Sequence, residues 1–323
     1  MFNYVRITRG YYINKMKKHL ILFSLIYLSA CGQSEYEIAV DAFKARDYES
    51  AFIKFTSLAN SGDIRAQNDL GLMYERALGV DRNYNEAAKW YRKAADKGVA
   101  EYQNRLAQLY IQGRGVKRDY WEALKWARKA AVQGNPEAEA NIAYMFHDGI
   151  GVNQNYKEAA KWYRKAAEQG LISAQHDLGV MYENGHGVDK DYSNAINWYR
   201  KAANNSYIMS QSNLINMYQK GLGVPQDNVE SLEWFTRAAQ DKHLMAQFRL
   251  GAMYYSGEQV EQDIVQAYAW IGIVAAAGYK PAEKLRDEIG AKFTPDALKQ
   301  ARALALELWE KYGRKAVDNK QSG

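Results

Sequence analysis

Six tryptophans, Trp90, Trp126, Trp162, Trp198, Trp234 and Trp270, follow one another at a constant interval of 36 residues. A fixed period of this size means that one supersecondary unit is repeated along the chain, so the 323 residues count repeats rather than independent domains. The frame is clearest over residues 174–206, where Ala174, Leu178, Gly179, Met181 and Tyr182 precede Gly185-x-Gly187-Val188, then Tyr192, Ala195 and Trp198-Tyr-Arg-Lys-Ala-Ala203. Each unit reads as two helices. In the first unit Ala66, Leu70, Met73 and Tyr74 fall at i, i+4, i+7 and i+8, an apolar stripe of helical period. A Gly-x-Gly-Val segment or a close variant follows and predicts the end of that helix, because glycine accepts positive φ without a Cβ penalty. Tyr84, Ala87, Ala88, Trp90, Tyr91, Ala94 and Ala95 then form a second stripe, which Gly98 is expected to close.

One such pair cannot bury its own stripe, but stacked pairs bury it continuously, which is the logic of an α-solenoid. A stack of this kind needs atypical ends. At the start, Tyr36 to Ala45 and Tyr48 to Ala59 read as a shortened pair in which Lys54 and Phe55 take the columns of Trp90 and Tyr91. At the far end, Thr294-Pro295-Asp296 is an N-cap with proline in the first turn, and Leu298, Ala301, Ala305, Leu308, Trp309 and Tyr312 form the stripe of a capping helix. The expected organisation is a capping helix pair over 36–62, the repeat array over 63–290, a capping helix over 291–314 and a polar tail over 315–323.

The unit Ala-x-x-x-Leu-Gly-x-Met-Tyr, Gly-x-Gly-Val, Ala-x-x-Trp-Tyr-Arg-Lys-Ala-Ala resembles the Sel-one-like repeat (SLR) family, relatives of tetratricopeptide repeats, across about residues 36–290. Departures stand at Ala77 and Gln259 in the glycine columns and at Asn228 and Ile264 in the helix tyrosine column. The resemblance implies an all-α fold, a right-handed α-solenoid of stacked antiparallel helix pairs in 36-residue repeats, closed by capping helices. It also implies a non-catalytic adaptor that holds a partner protein or peptide, often at membranes.

The first 30 residues carry Arg6, Arg9, Lys15, Lys17 and Lys18 and no acid. Lys17 and Lys18 lead into the apolar run Leu20 to Leu28 and the small residues Ser29 and Ala30, the layout of an export signal. Nine residues at about 1.5 Å each fall far short of a hydrocarbon core of about 30 Å, so the segment is expected to be cut rather than to span. Met16 opens a compact leader and is the expected true start. Leu28-Ser29-Ala30-Cys31 resembles the lipobox of bacterial lipoproteins, which implies that the only cysteine, Cys31, becomes the acylated first residue, with residues 32–35 as a short tether. By the same resemblance Gly32 favours delivery to the outer membrane, facing the periplasm, in a cell with two membranes.

Charge excludes a nucleic-acid partner. The net charge of +6 comes almost wholly from the leader, beyond which 38 basic residues face 37 acidic ones, so there is no concentrated basic face to release counterions. Cofactor and metal chemistry find no motif either. The glycine turns follow helix C-termini, where the dipole has the wrong sign for phosphate. His147, His176, His186 and His243 show no i, i+4 pairing and no His-Glu-x-x-His. Neither Gly-x-Ser-x-Gly nor Ser-x-x-Lys occurs. An envelope hydrolase or a cell-wall ligand binder remains as the competing class, since cysteine-rich relatives have been linked to β-lactam binding, but their disulfide pairs are missing here.

The Arg-Lys ladder at 92–93, 128–129, 164–165 and 200–201 reads as a solvated face whose long stems cover apolar neighbours. By resemblance the first helices line the concave wall of the stack. At 100° per residue the side opposite the apolar stripe carries Arg65, Asn68, Glu75 and Arg76; then Asn104 and Gln108; Tyr144 and His147; His176 and Glu183; Asn216 and Gln219; Phe248 and Tyr255. These residues are the candidate partner groove, polar along its length with an aromatic end. Trp121 is a separate exposed aromatic candidate.

Overall fold

The computed structural model describes residues 34–224, 228–258 and 260–313. The leader, Cys31, Gln259 and the tail from Arg314 lie outside the described residues. The fold is all-α. The capping pair is α1 (Glu35–Lys44) and α2 (Tyr48–Asn60). Five further pairs follow: α3 (Ile64–Arg76) and α4 (Tyr84–Ala95), α5 (Ala100–Gln112) and α6 (Tyr120–Val132), α7 (Pro136–Asp148) and α8 (Tyr156–Glu168), α9 (Ile172–Asn184) and α10 (Tyr192–Ala203), α11 (Ile208–Lys220) and α12 (Asn228–Gln240). A sixth pair, α13 (Leu244–Ser256) and α14 (Ile264–Ala276), is followed by α15 (Lys280–Gly290) and α16 (Pro295–Tyr312), both packed on α14. The described chain divides between Ala138 and Glu139 into two compact units.

The helix boundaries follow from caps. The first helices α5, α9, α11 and α13 end on Gly113, Gly185, Gly221 and Gly257 in the left-handed region. Ala77 holds the same conformation at φ +57° without the glycine that relieves it. The second helices start under Asn83, Asp119, Asn155, Asp191 and Asp263, whose side chains accept first-turn N–H groups. Gly98 does not itself end α4. The cap is Asp96 in ordinary helical geometry, and Gly98 makes the following turn at φ +91°. Ser206 and Lys242 take that left-handed turn in the same column. The departures Asn228 and Ile264 still open α12 and α14, so the tyrosine column is not needed to start a helix.

Interdigitation between large and small residues joins the pairs. A Cβ on Gly71 would stand 2.8 Å from the Tyr91 ring, and one on Gly179 2.6 Å from the Tyr199 ring, so each glycine is the socket for a second-helix tyrosine. The second loop glycine is the socket for the pair before it. A Cβ on Gly115 would fall 1.8 Å from the Tyr84 carbonyl oxygen, and one on Gly187 2.1 Å from that of Tyr156. Gln67, Gln103, Gln175, Gln211 and Gln247, spaced on the same period, each donate from Nε2 to a carbonyl eight residues back, at the end of the preceding second helix. These bonds add a second donor to C-terminal carbonyls that also accept the turn N–H three residues on. The six tryptophans are not equivalent. Trp90, Trp126, Trp234 and Trp270 are buried, and Trp162 and Trp198 are half-buried.

Candidate partner-binding face

The predicted groove residues divide by what the fold does with them. Asn68, Asn104 and His176 are buried, each about 6% exposed. A first helix within a stack has neighbours on two sides, so a flank that opposes its own pair's stripe can still be covered. His176 shows this most fully: its Nδ1 lies 2.9 Å from Ser210 Oγ, and its ring sits 5.4 Å from that of Tyr199 and 5.2 Å from that of Tyr207. Burial holds its imidazole below the usual histidine range, hence neutral. Glu75 and Glu183 are spent inside their own units, accepting from the Tyr91 hydroxyl at 2.9 Å and the Tyr199 hydroxyl at 2.6 Å.

Arg65, Arg76 and Gln219 are exposed, and Gln108 and Asn216 are half-buried. Arg65 lies 3.9 Å over the Tyr36 ring and pairs with Asp63 at 3.0 Å. Tyr144 is 43% exposed. His147 belongs to a cluster with Tyr156 and His186, whose rings stack at 4.7 Å, and it contacts Asp148 at 2.5 Å. The aromatic end is engaged by the C-terminal cap: the Phe248 ring meets Tyr279 edge-on at 5.4 Å, and the Tyr255 hydroxyl accepts from Lys292 Nζ at 2.5 Å. Trp121 is 67% exposed and carries Lys125 at 5.1 Å over its ring.

A column adjacent to the buried asparagines carries the face's charge and escaped the helical-wheel reading. Position by position it holds Asp69, Arg105, Asn141, Asp177, Asn213 and Arg249. Asp69 accepts from the Tyr36 hydroxyl at 2.6 Å and from Asn68 Nδ2 at 3.2 Å. Burial pushes its carboxyl up, and those bonds and the Arg105 charge pull against it. Asp177 has no hydrogen bond or ion pair among the described residues. Burial pushes its carboxyl to about 6, opposed by the charge of His147. Its field reaches the tyrosines Tyr163, Tyr199 and Tyr207. The signal available in the sequence was this column itself: ionisable and amide residues recurring every 36 positions beside an apolar stripe.

In the N-terminal compact unit Glu101, Asn104, Arg105, Gln108, Asn135 and Glu137 line a polar hollow of about 400 Å³. The Arg-Lys ladder works as internal stitching. Lys93, Lys129, Lys165 and Lys201 lie 3.9, 4.0, 4.3 and 3.7 Å over the tryptophan rings of their own units. Arg92, Arg164 and Arg200 donate to the hydroxyls of Tyr110, Tyr182 and Tyr218 in the next pair.

The Sel1 repeat model matches residues 64–99, 100–135, 136–171, 172–207, 209–243 and 244–279, more than half of the chain. The chain belongs to the Sel1 repeat family. Its structural neighbours agree. A Sel1 repeat protein from Oxalobacter formigenes is 34% identical with a TM-score of 0.65, over 75% of this chain and 99% of that one. The protein c5321, described as a protective antigen present in uropathogenic Escherichia coli strains and displaying an SLR fold, is 30% identical with a TM-score of 0.52, over 90% of this chain and 73% of that one. No curated protein matches. Sel1 repeat proteins generally mediate protein–protein interaction, and members are typically non-catalytic scaffolds. Among the described residues no group of three His, Cys, Asp or Glu side chains is placed to hold a metal, and no helix is long and apolar enough to cross a membrane.

Proposed function

We propose that this protein is a non-catalytic, lipid-anchored interaction scaffold of the bacterial cell envelope. It captures a partner protein or peptide on the face carried by its first helices and is held to the membrane by acylated Cys31. The observation that carries the capture reading is Asp177, a half-buried carboxylate without a hydrogen-bond partner in a column whose other acid, Asp69, is fully engaged. A half-buried acid with no protein donor keeps only part of its hydration, and a partner donor that bonds it adds to affinity. The anchor reading rests on the basic stretch, the short apolar run and the Leu-Ser-Ala-Cys motif coinciding with the chain's one cysteine.

Crosslinking in intact cells followed by mass spectrometry tests capture. The double variant Tyr144→Ala with Asp177→Asn leaves the helical content intact and removes the crosslinked species. An unchanged set of crosslinks would sink the assignment of this face. For the anchor, Cys31→Ser abolishes fatty-acid labelling, and persistent labelling refutes acylation at that residue.

A further inference from the structure

The C-terminal cap forms an open apolar cleft of about 390 Å³ between α14, α15 and α16. Gly272 and Ile273 of α14 meet Leu306 and Trp309 of α16 across it, and the polar side chains reaching it are Arg286 and Arg302 beside the Tyr268 phenol. No carboxylate lines it. Gly272 has no steric duty that would explain it. A Cβ there would meet only Ala305 Cβ at 3.5 Å, an ordinary contact, whereas Gly71 and Gly179 are sockets for tyrosine rings. A glycine inside a helix is less favourable than alanine, so at Gly272 the missing side chain serves to keep the cleft open.

The two guanidinium groups differ in availability. Arg302 is exposed and has no hydrogen bond or ion pair among the described residues. Arg286, whose side chain is 33% exposed, donates to its neighbour Asp287 from Nε at 2.9 Å and from Nη2 at 2.7 Å, and because the Asp287 side chain is 69% exposed an incoming anion can share this guanidinium or displace the aspartate at modest cost. An apolar pocket of a few hundred Å³ with a small set of like-charged donors is the usual form of a small-molecule site.

We infer that this cleft binds a carboxylate carried on an apolar tail, a fatty-acid-like monocarboxylate whose chain lies between Ile273, Leu306 and Trp309 and whose head is received by Arg302 and Arg286. Charge complementarity selects this occupant. The segment that follows α16 carries Arg314, Lys315 and Lys320 against Asp318, the same sign as the arginines. A purely apolar side chain from a partner would cover the arginines without pairing them. The site is independent of the face assigned to partner capture.

Calorimetric titration of the full chain with decanoate, decanol and decylammonium, all below micelle formation, tests the assignment. Decanoate binds with saturation at one site. Decanol binds about tenfold more weakly, the value of one charge-assisted hydrogen bond, and decylammonium does not bind. Arg302→Gln brings decanoate down to the level of decanol. Gly272→Met fills the cleft and abolishes binding of both, with the thermal transition recorded as the check on folding. Should that variant fail to fold, Leu306→Gln, at a side chain already 66% exposed, weakens both ligands in its place. Equal affinity for the three head groups, absence of saturable decanoate binding, or decanoate binding untouched by the cleft substitutions overturns the proposal.

Discussion

Asp69 and Asp177 stand in the same column of the repeat, one in each compact unit, and the fold treats them in opposite ways. In the first unit the N-terminal cap supplies Tyr36, whose hydroxyl bonds Asp69 at 2.6 Å, and Arg105 adds its charge from the following helix pair. In the second unit Tyr163, Tyr199 and Tyr207 lie within the field of Asp177, but the Tyr199 hydroxyl is committed to Glu183 and no donor bonds the aspartate. The frame around both is alike, with tyrosine seated on helix glycine and loop glycine seated on backbone. The difference teaches that the repeat frame fixes position, while the column residues decide whether a buried charge is consumed by the fold or left available.

That contrast holds only if the frame contributes equally in both units, and the loop glycines test this with the largest expected effect. Gly115→Ala and Gly187→Ala each force a positive-φ residue against a backbone carbonyl, at φ +68° and +72°. Nothing flexible stands there to move aside, so each costs about 3 kcal/mol or more. Chemical denaturation of both variants measures it, and a difference between them beyond about 1 kcal/mol would mean that the two frames are not comparable.

Next comes the attempt to turn Asp69 into a second Asp177. Tyr36→Phe keeps the ring packed 5.8 Å from Phe55 and deletes only the donor. Leaving a half-buried carboxylate with one bond fewer costs about 1–3 kcal/mol at neutral pH. The loss shrinks in acid, where the carboxyl is protonated, and a melting series from pH 4 to 7 separates it from a packing defect.

Most of the frame was legible beforehand because it rests on large or conformationally special residues that must recur wherever the backbone recurs. The indole interval, the glycine turns and the Thr294-Pro295 cap all predicted elements that exist. What a single-helix wheel could not show was the second neighbour. Asn68, Asn104 and His176 look solvent-facing because they oppose the apolar stripe of their own pair, yet all three are buried, His176 against Ser210 and Tyr207 of the next pair. Glu75 and Glu183 looked free because their partners, Tyr91 and Tyr199, are 16 residues away on another helix. A similar separation hides the stitching role of the Arg-Lys ladder, whose arginines reach 18 residues forward. Phe248 and Tyr255, the expected aromatic end of the groove, are engaged by Tyr279 and Lys292.

Removing the charge from the second unit sharpens the comparison from the other side. The Asp177 carboxyl titrates near 6 in the fold, against about 3.9 in an unfolded chain. Between those values the folded state holds more protons than the unfolded one, so stability falls as pH rises through about 4 to 6. Asp177→Asn removes that dependence. It stabilises the protein by about 1–2 kcal/mol at pH 7, since the side chain is partly solvated, and by nothing near pH 4. A destabilised Asp177→Asn protein at pH 7 would mean that the fold does use this carboxylate.

The smallest effect lies at Ala77, where the frame departs from itself. Gly113, Gly185, Gly221 and Gly257 end their helices at φ between +65° and +73°, and Ala77 does so at +57° with a Cβ in place. The left-handed region costs a non-glycine residue about 1–2 kcal/mol. Glycine gives back part of that through the greater freedom it has in the unfolded chain, about 0.4–1 kcal/mol. Ala77→Gly therefore stabilises by about 0.5–1 kcal/mol, read as a rise in denaturation midpoint with an unchanged slope. Because the α3 cap bond to the Met73 carbonyl is retained, the gain comes from the backbone alone. It leaves the Tyr36–Asp69 bond in place, so the pH profile of the first unit stays as it was while its stability rises.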